Sequence, residues 1–192
     1  MKKFLLFLSL FFITFYIPFV FTAYNPGWYE FNCRFNPRCG RIGYQKSFDG
    51  INELTDYFLH QNELGYKWSR KENIHLGEVR GMFDLMAIFA IISFLFLLIM
   101  LDRELLRKCS VVNIIIILAM FAVIPFFNFF WTDIFHGILF NNNYWLNTRY
   151  DFSFYIMPQK FFRITVSTIL ASWFFINLVI YFLLNRKSKK SI

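Results

Sequence analysis

The sequence predicts an all-α membrane protein: a bundle of four transmembrane helices with a small disulfide-locked antiparallel β-sheet in its first outer loop. Three observations carry that expectation. Hydrophobic residues make up 57% of the 192 positions and charged residues only 17%, too little polar surface to clothe a soluble particle. Four apolar segments without internal charge recur along the chain, each close to the roughly 20 residues a helix needs to cross a bilayer. The segment after the first of them holds Trp28, Cys33 and Cys39 close together outside the lipid.

The spans are read at about 4–24, 85–101, 111–131 and 164–184, with outer loops at 25–83 and 132–163. On that reading residues 1–192 form a single four-span membrane domain. Helices are expected because only they satisfy their own backbone hydrogen bonds within one segment. Pro18 lies inside the first span; Asp84 and Asp102 bracket the second; Asn113, Pro125 and Asn128 lie inside the third. The 29 phenylalanines suit an apolar solvent.

Basic residues set the expected orientation. Lys2 and Lys3 precede span one. Arg103, Arg107 and Lys108 lie between spans two and three, and Arg186, Lys187, Lys189 and Lys190 follow span four. All fall on one face of a four-span protein, and the positive-inside rule makes that face, with both termini, cytoplasmic. The first loop is also basic, but long loops cross largely regardless of charge. Met1 to Ala23 shares the features of a secretory signal. Its apolar run is longer than a signal core and Phe21 stands where a small residue is needed, so a retained span is expected.

In the first loop, the run from Trp28 to Gly40 alternates aromatic and polar residues, which predicts strands, with Asn36-Pro37 as the turn between them. Outside the cytosol Cys33 and Cys39 are expected to be oxidised to one another; free thiols or metal ligands are the alternative, and no histidine set accompanies them. Ile51, Leu54, Tyr57 and Phe58 recur at helical spacing after Asp49, predicting an amphipathic helix within 47–64. A second short helix near His75 to Met82 is expected to feed span two. The second loop carries Tyr144, Trp145, Tyr150, Phe152, Phe154 and Tyr155, either a belt at the membrane interface or a contact surface.

Chemical motifs are sparse. His60, His75 and His136 stand far apart, with no metal-ligand spacing. No glycine-rich phosphate loop or nucleophile elbow occurs, and no acid or base lies mid-membrane. The mid-span polar residues Ser93, Asn113, Asn128, Ser167, Thr168, Ser172 and Asn177 are expected to join helices. No catalytic residue, metal or cofactor is therefore expected, and the protein is read as a non-enzyme. The basic tail is assigned to topology and anionic lipid, not nucleic acid. Cys109, at the cytoplasmic end of span three, is a candidate for S-acylation.

With these elements placed, the chain resembles the claudin and peripheral myelin protein superfamily of tetraspan proteins. The residues that carry the resemblance are Trp28, Cys33 and Cys39 in the first loop, Arg80 ahead of span two, the run from Pro125 to Ile134, and the run from Trp145 to Tyr155. The resemblance implies an outer sheet on a helix bundle. It also implies a role in cell–cell contact, junctions or membrane organisation, through homo-oligomers or another membrane protein, with the plasma membrane as its place. Trp28 departs from the family pattern, since it follows span one almost at once and Cys33 lies farther on than usual. Lys189 and Lys190 resemble a dilysine retrieval signal. The alternatives are thus an auxiliary channel or receptor subunit, or a resident of the endoplasmic reticulum such as a lipid enzyme or assembly factor.

Overall fold

The computed structural model describes residues 2–188, and among them every regular element is helical. The order is α1 (Lys2–Ala23), α2 (Pro26–Arg34), α3 (Pro37–Ile42), α4 (Tyr44–Phe58), α5 (Arg70–Ile99) and α6 (Arg103–Phe121). A 3₁₀ turn (Ile124–Phe126), α7 (Phe127–Phe129), a π-helix (Phe130–Phe135) and α8 (His136–Leu139) follow, then α9 (Ser153–Ile156) and α10 (Gln159–Ser188). Four stretches are long and apolar enough to cross a membrane: Lys2–Ala23, Arg70–Ile99, Arg103–Leu139 and Gln159–Asn185. The protein is an integral, multi-pass membrane protein. Its second crossing helix starts at Arg70, so the short helix expected near His75 is the first part of α5.

The outer β-sheet does not form. Trp28 to Gly40 folds as α2 and α3, and the reason lies in two Asn-Pro steps. Asn25 accepts a hydrogen bond from Gly27 N–H (2.9 Å) and Asn36 one from Arg38 N–H (3.0 Å). Each Asn is an N-cap, and the following proline takes the first helical position, where its missing N–H costs nothing. The alternation of aromatic and polar residues was a weaker signal than this capping chemistry.

The chain divides into two compact units. The first draws on Met1–Phe19, Leu85–Pro125 and Val166–Ile192. Its packing centres on Leu6, Leu10, Leu106 and Cys109, and separately on Ile117, Leu170 and Trp173. A buried polar chain ties its helices. Trp173 Nε1–H and Asn177 Nδ2–H both donate to Thr14 Oγ1 (2.9 and 3.0 Å), and Asn113 Nδ2–H donates to Asn177 Oδ1 (2.9 Å). Such bonds join helices where lipid offers no competing partner.

The second unit draws on Val20–Asp84 and Phe126–Thr165. Its core gathers Tyr29, Cys33, Cys39, Ile51, Leu54, Tyr57, Phe58, Trp68, Phe152, Ile156 and Phe161. α4 presents Ile51, Leu54 and Phe58 to it, the face that the helical spacing predicts. At Gly50 the Phe152 ring occupies the space a Cβ would need, so the close approach requires glycine. Cys33 and Cys39 are fully buried and form a disulfide between α2 and α3. Cys33→Ser is expected to cost about 2 kcal/mol, the entropy of closing a short loop. Unfolding of oxidised protein and variant, followed by circular dichroism in detergent, measures it.

Candidate functional site

α5 and the irregular end of the third crossing helix together build one site in the second unit. His75 and Glu78 lie one turn apart on α5, on the same face. His136 opens α8, directly after the π-helix. π-turns widen a helix by one residue and are frequent at functional sites. Here the turn lets the Trp131 carbonyl accept a hydrogen bond from His136 Nδ1–H (2.5 Å). With Nδ1 protonated, the lone pair of a neutral His136 ring lies on Nε2.

The two imidazoles lie 6.2 Å apart between ring centres. Aromatic rings enclose them. Trp145 stacks on His136 at 4.3 Å, and Trp131 meets it edge-on at 4.9 Å. Phe140 packs on both, at 4.6 Å from His75 and 5.6 Å from His136. Trp131 is itself stacked between Phe135 (4.6 Å) and Phe162 (4.7 Å).

Glu78 supplies the charge. Asn142 Nδ2–H donates to its Oε1 (2.7 Å), which leaves Oε2 facing His75 Nδ1 at 3.6 Å. Both of those atoms are buried without a hydrogen-bond partner. Unsatisfied buried polar atoms are costly and mark places where a fold serves something besides its own stability. A carboxylate beside one histidine, a second histidine with a fixed tautomer and aromatic walls make an acid–base site that can move a proton away from water.

The segment that carries Asn142 and Trp145 is anchored to the start of α5. Ser69 and Glu72 form a capping box: Ser69 N–H donates to Glu72 Oε2 (2.8 Å) and Glu72 N–H to Ser69 Oγ (3.3 Å). Asp151, 4% exposed, pairs with Lys71 (2.7 Å) and accepts from Thr148 N–H (2.6 Å) and Ser69 Oγ (3.0 Å). Burial pushes its carboxyl up, but the hydrogen bonds from Lys71, Thr148 and Ser69 outweigh that and hold it below the usual carboxylate value. This stabilisation is complete above the unfolded value near 4 and is lost as pH falls through the lower folded one. Asp151→Asn is therefore expected to flatten part of the acid loss of thermal stability as pH falls below about 4, measured by melting in detergent.

The residues singled out in the sequence lie elsewhere. Trp28 Nε1–H donates to Thr165 Oγ1 (3.0 Å), and its ring stacks on Phe31. The Arg80 guanidinium lies 3.9 Å over the Tyr57 ring and pairs with Glu63 (3.5 Å). Cys109 is a free, buried thiol beside Leu6 and Leu106. Lys189 and Lys190 lie outside the described residues. His60 pairs with Asp84 (2.9 Å). The site residues His75 and His136 are remote in sequence and form no local motif. Within the sequence only the His75-x-x-Glu78 spacing could have pointed to it.

An enclosed histidine pair with a carboxylate beside it, in a membrane-integral helical protein, has the make-up of an acid–base centre. The family model for lipoprotein intramolecular transacylase Lit matches residues 4–162, and the chain belongs to that family. Among solved structures it is similar to the membrane integral lipoprotein intramolecular transacylase Lit from Bacillus cereus. The TM-score is 0.82 at 20% identity, over 99% of this chain and 95% of that one. Two further structures of that protein, with one histidine replaced by alanine or by arginine, match at TM-scores of 0.76 and 0.77, again at 20% identity. They cover 99% of this chain and 93% and 92% of theirs. At that identity the likeness shows the fold; the family rests on the sequence model. The search of curated proteins returned no match.

Membership of this family overturns the resemblance to claudins, the role in junctions and adhesion, and the reading as a non-enzyme. Trp28, Cys33 and Cys39 mimic the claudin motif with helices where claudins have strands. Of the alternatives, the lipid enzyme fits the family best.

Proposed function

We propose that the chain is an intramolecular transacylase of membrane lipoproteins, which moves an acyl group from one position to another on the same substrate molecule. The observation that carries this reading is the His75–His136 pair inside its aromatic enclosure, in a chain of the Lit family. Acyl transfer breaks one acyl–oxygen bond and forms one new acyl bond. The attacking group loses a proton and the leaving oxygen gains one. In an intramolecular transfer the substrate brings its own nucleophile, so the protein has to supply proton transfer, orientation and dryness.

The geometry supports that division of labour. His136 Nε2 takes the proton of the attacking group while Trp131 holds the opposite nitrogen. The histidine pair returns a proton to the leaving oxygen, with Glu78 beside His75 to stabilise the charge that forms there. Trp131, Phe140 and Trp145 keep water from intercepting the ester. The basic segments that flank the spans favour both termini on the cytoplasmic side.

The test uses purified protein in nanodiscs with a synthetic diacylated lipopeptide, followed by tandem mass spectrometry. The expected product has the parent mass of the substrate with one acyl group on a different fragment. An unchanged fragment pattern, or a parent mass raised by an acyl group taken from lipid, contradicts the reading.

A further inference from the structure

We infer that Ser69, Lys71 and Glu72 position the acyl-transfer site: they pin the segment that carries Trp145 and Asn142, and so set the wall and the charge beside the two histidines. The inference rests on the function proposed above and adds residues that touch neither histidine.

The segment from Asn141 to Phe152 contains only turns and bends and is largely exposed, and its own backbone bonds, Leu146 N–H to the Asn143 carbonyl (3.2 Å) and Asp151 N–H to the Thr148 carbonyl (3.0 Å), are local to it. Its two contacts with the site are nevertheless specific, Trp145 stacked on His136 and Asn142 bonded to Glu78. The fixing comes from α5. Lys71 Nζ donates to the Leu146 carbonyl (2.6 Å), the residue next to Trp145, and to Asp151 Oδ2 (2.7 Å). Glu72, only 2% exposed, accepts Ser153 N–H (2.7 Å) and Ser153 Oγ–H on Oε1, while its Oε2 holds Ser69 N–H. Ser69 Oγ reaches Asp151 Oδ1.

Two buried carboxylates are an uneconomical way to stabilise a loop, because desolvation cancels much of what their bonds return. They are an effective way to fix one register, because both oxygens of Glu72 and Oδ2 of Asp151 accept particular main-chain N–H groups and Oδ1 of Asp151 accepts the Ser69 hydroxyl. Glu72 and His75 also share the first turns of α5, so the element that holds the segment is the one that presents the first histidine and Glu78. A slip of about 1 Å at a reacting centre costs up to roughly 100-fold in rate.

The experiment compares wild type with Glu72→Gln, Lys71→Met and Lys71→Arg in nanodiscs, with acyl-transfer kinetics, melting temperature and the fluorescence of Trp145. That signal is the difference between each protein and its Trp145→Phe counterpart. In wild type, Trp145 emission is expected to be quenched as the stacked His136 becomes protonated. Glu72→Gln and Lys71→Met are expected to lower kcat by roughly 10–100-fold with a smaller change in KM, and to weaken that pH-dependent quenching. Lys71→Arg keeps a donor and is expected to restore both. Lys71 is partly exposed, so its variants report even where Glu72→Gln does not fold. Lowered melting temperature with kcat and the Trp145 quenching intact overturns the inference. If wild type shows no acyl transfer, the proposed function fails, and the quenching arm still decides whether these residues hold Trp145.

Discussion

His136→Ala is expected to abolish acyl transfer, by about 10²–10⁴-fold, while the protein purifies and melts as a folded species. The magnitude follows from the role. A positioned acid–base group contributes that much when its pKa lies near the working pH, and histidine is the side chain whose ordinary value does. His136 is the ring whose tautomer is fixed, by Trp131, and whose face is covered, by Trp145. His75→Ala is expected to fall in the same range. The double variant is expected to be little worse than either single one, because the two rings share a single proton path and groups that act as a unit are not additive. His60→Ala, at an exposed pair with Asp84, is the control and is expected to leave the rate unchanged. Rates from the lipopeptide assay measure all four.

Glu78→Gln is expected to produce the next largest loss after the two histidines, about 10²-fold in kcat with KM nearly preserved. The amide keeps the size of the side chain and can still bond to Asn142, but it cannot stabilise an imidazolium at His75. The 3.6 Å separation is longer than a hydrogen bond, as catalytic contacts often are before substrate draws them together. Loss of the charge is therefore felt in the transition state rather than in binding, the pattern of an interaction made only there. A kcat–KM split from initial rates at varied lipopeptide density in the membrane gives the answer. A rise in KM alone assigns Glu78 to substrate binding.

Sequence reasoning reaches the membrane part of this molecule more readily than the site. Uncharged apolar runs flanked by lysine and arginine leave little choice of structure, because backbone polar groups in lipid must pair within the helix. The loops are harder. Trp28 to Gly40 has strand-like alternation, yet Asn25-Pro26 and Asn36-Pro37 each start a helix. The capping box at Ser69 and Glu72 was equally open to reading and marks the start of α5, well ahead of the apolar run. The site itself is a tertiary property. His75 and His136 meet only because the third crossing helix, through its π-turn, brings one ring to the other, and no local pattern encodes that meeting.

The claudin resemblance fails for a related reason. A Trp and two nearby cysteines can be met by unrelated folds, since any small extracytoplasmic element gains from a disulfide and a tryptophan anchor. Trp28 here anchors to Thr165, and the disulfide joins two short helices within an aromatic core.

The central claim is that one substrate molecule both gives and receives the acyl group, with the histidine pair moving the proton. A crossover experiment tests it most directly: lipopeptide with unlabelled acyl chains and peptide is mixed with lipopeptide labelled in both, and the products are sorted by tandem mass spectrometry. Every product is expected to keep both parts light or both parts heavy, and His136→Ala is expected to form it about 10²–10⁴-fold more slowly. Products that join a light peptide to a heavy acyl group would contradict the claim.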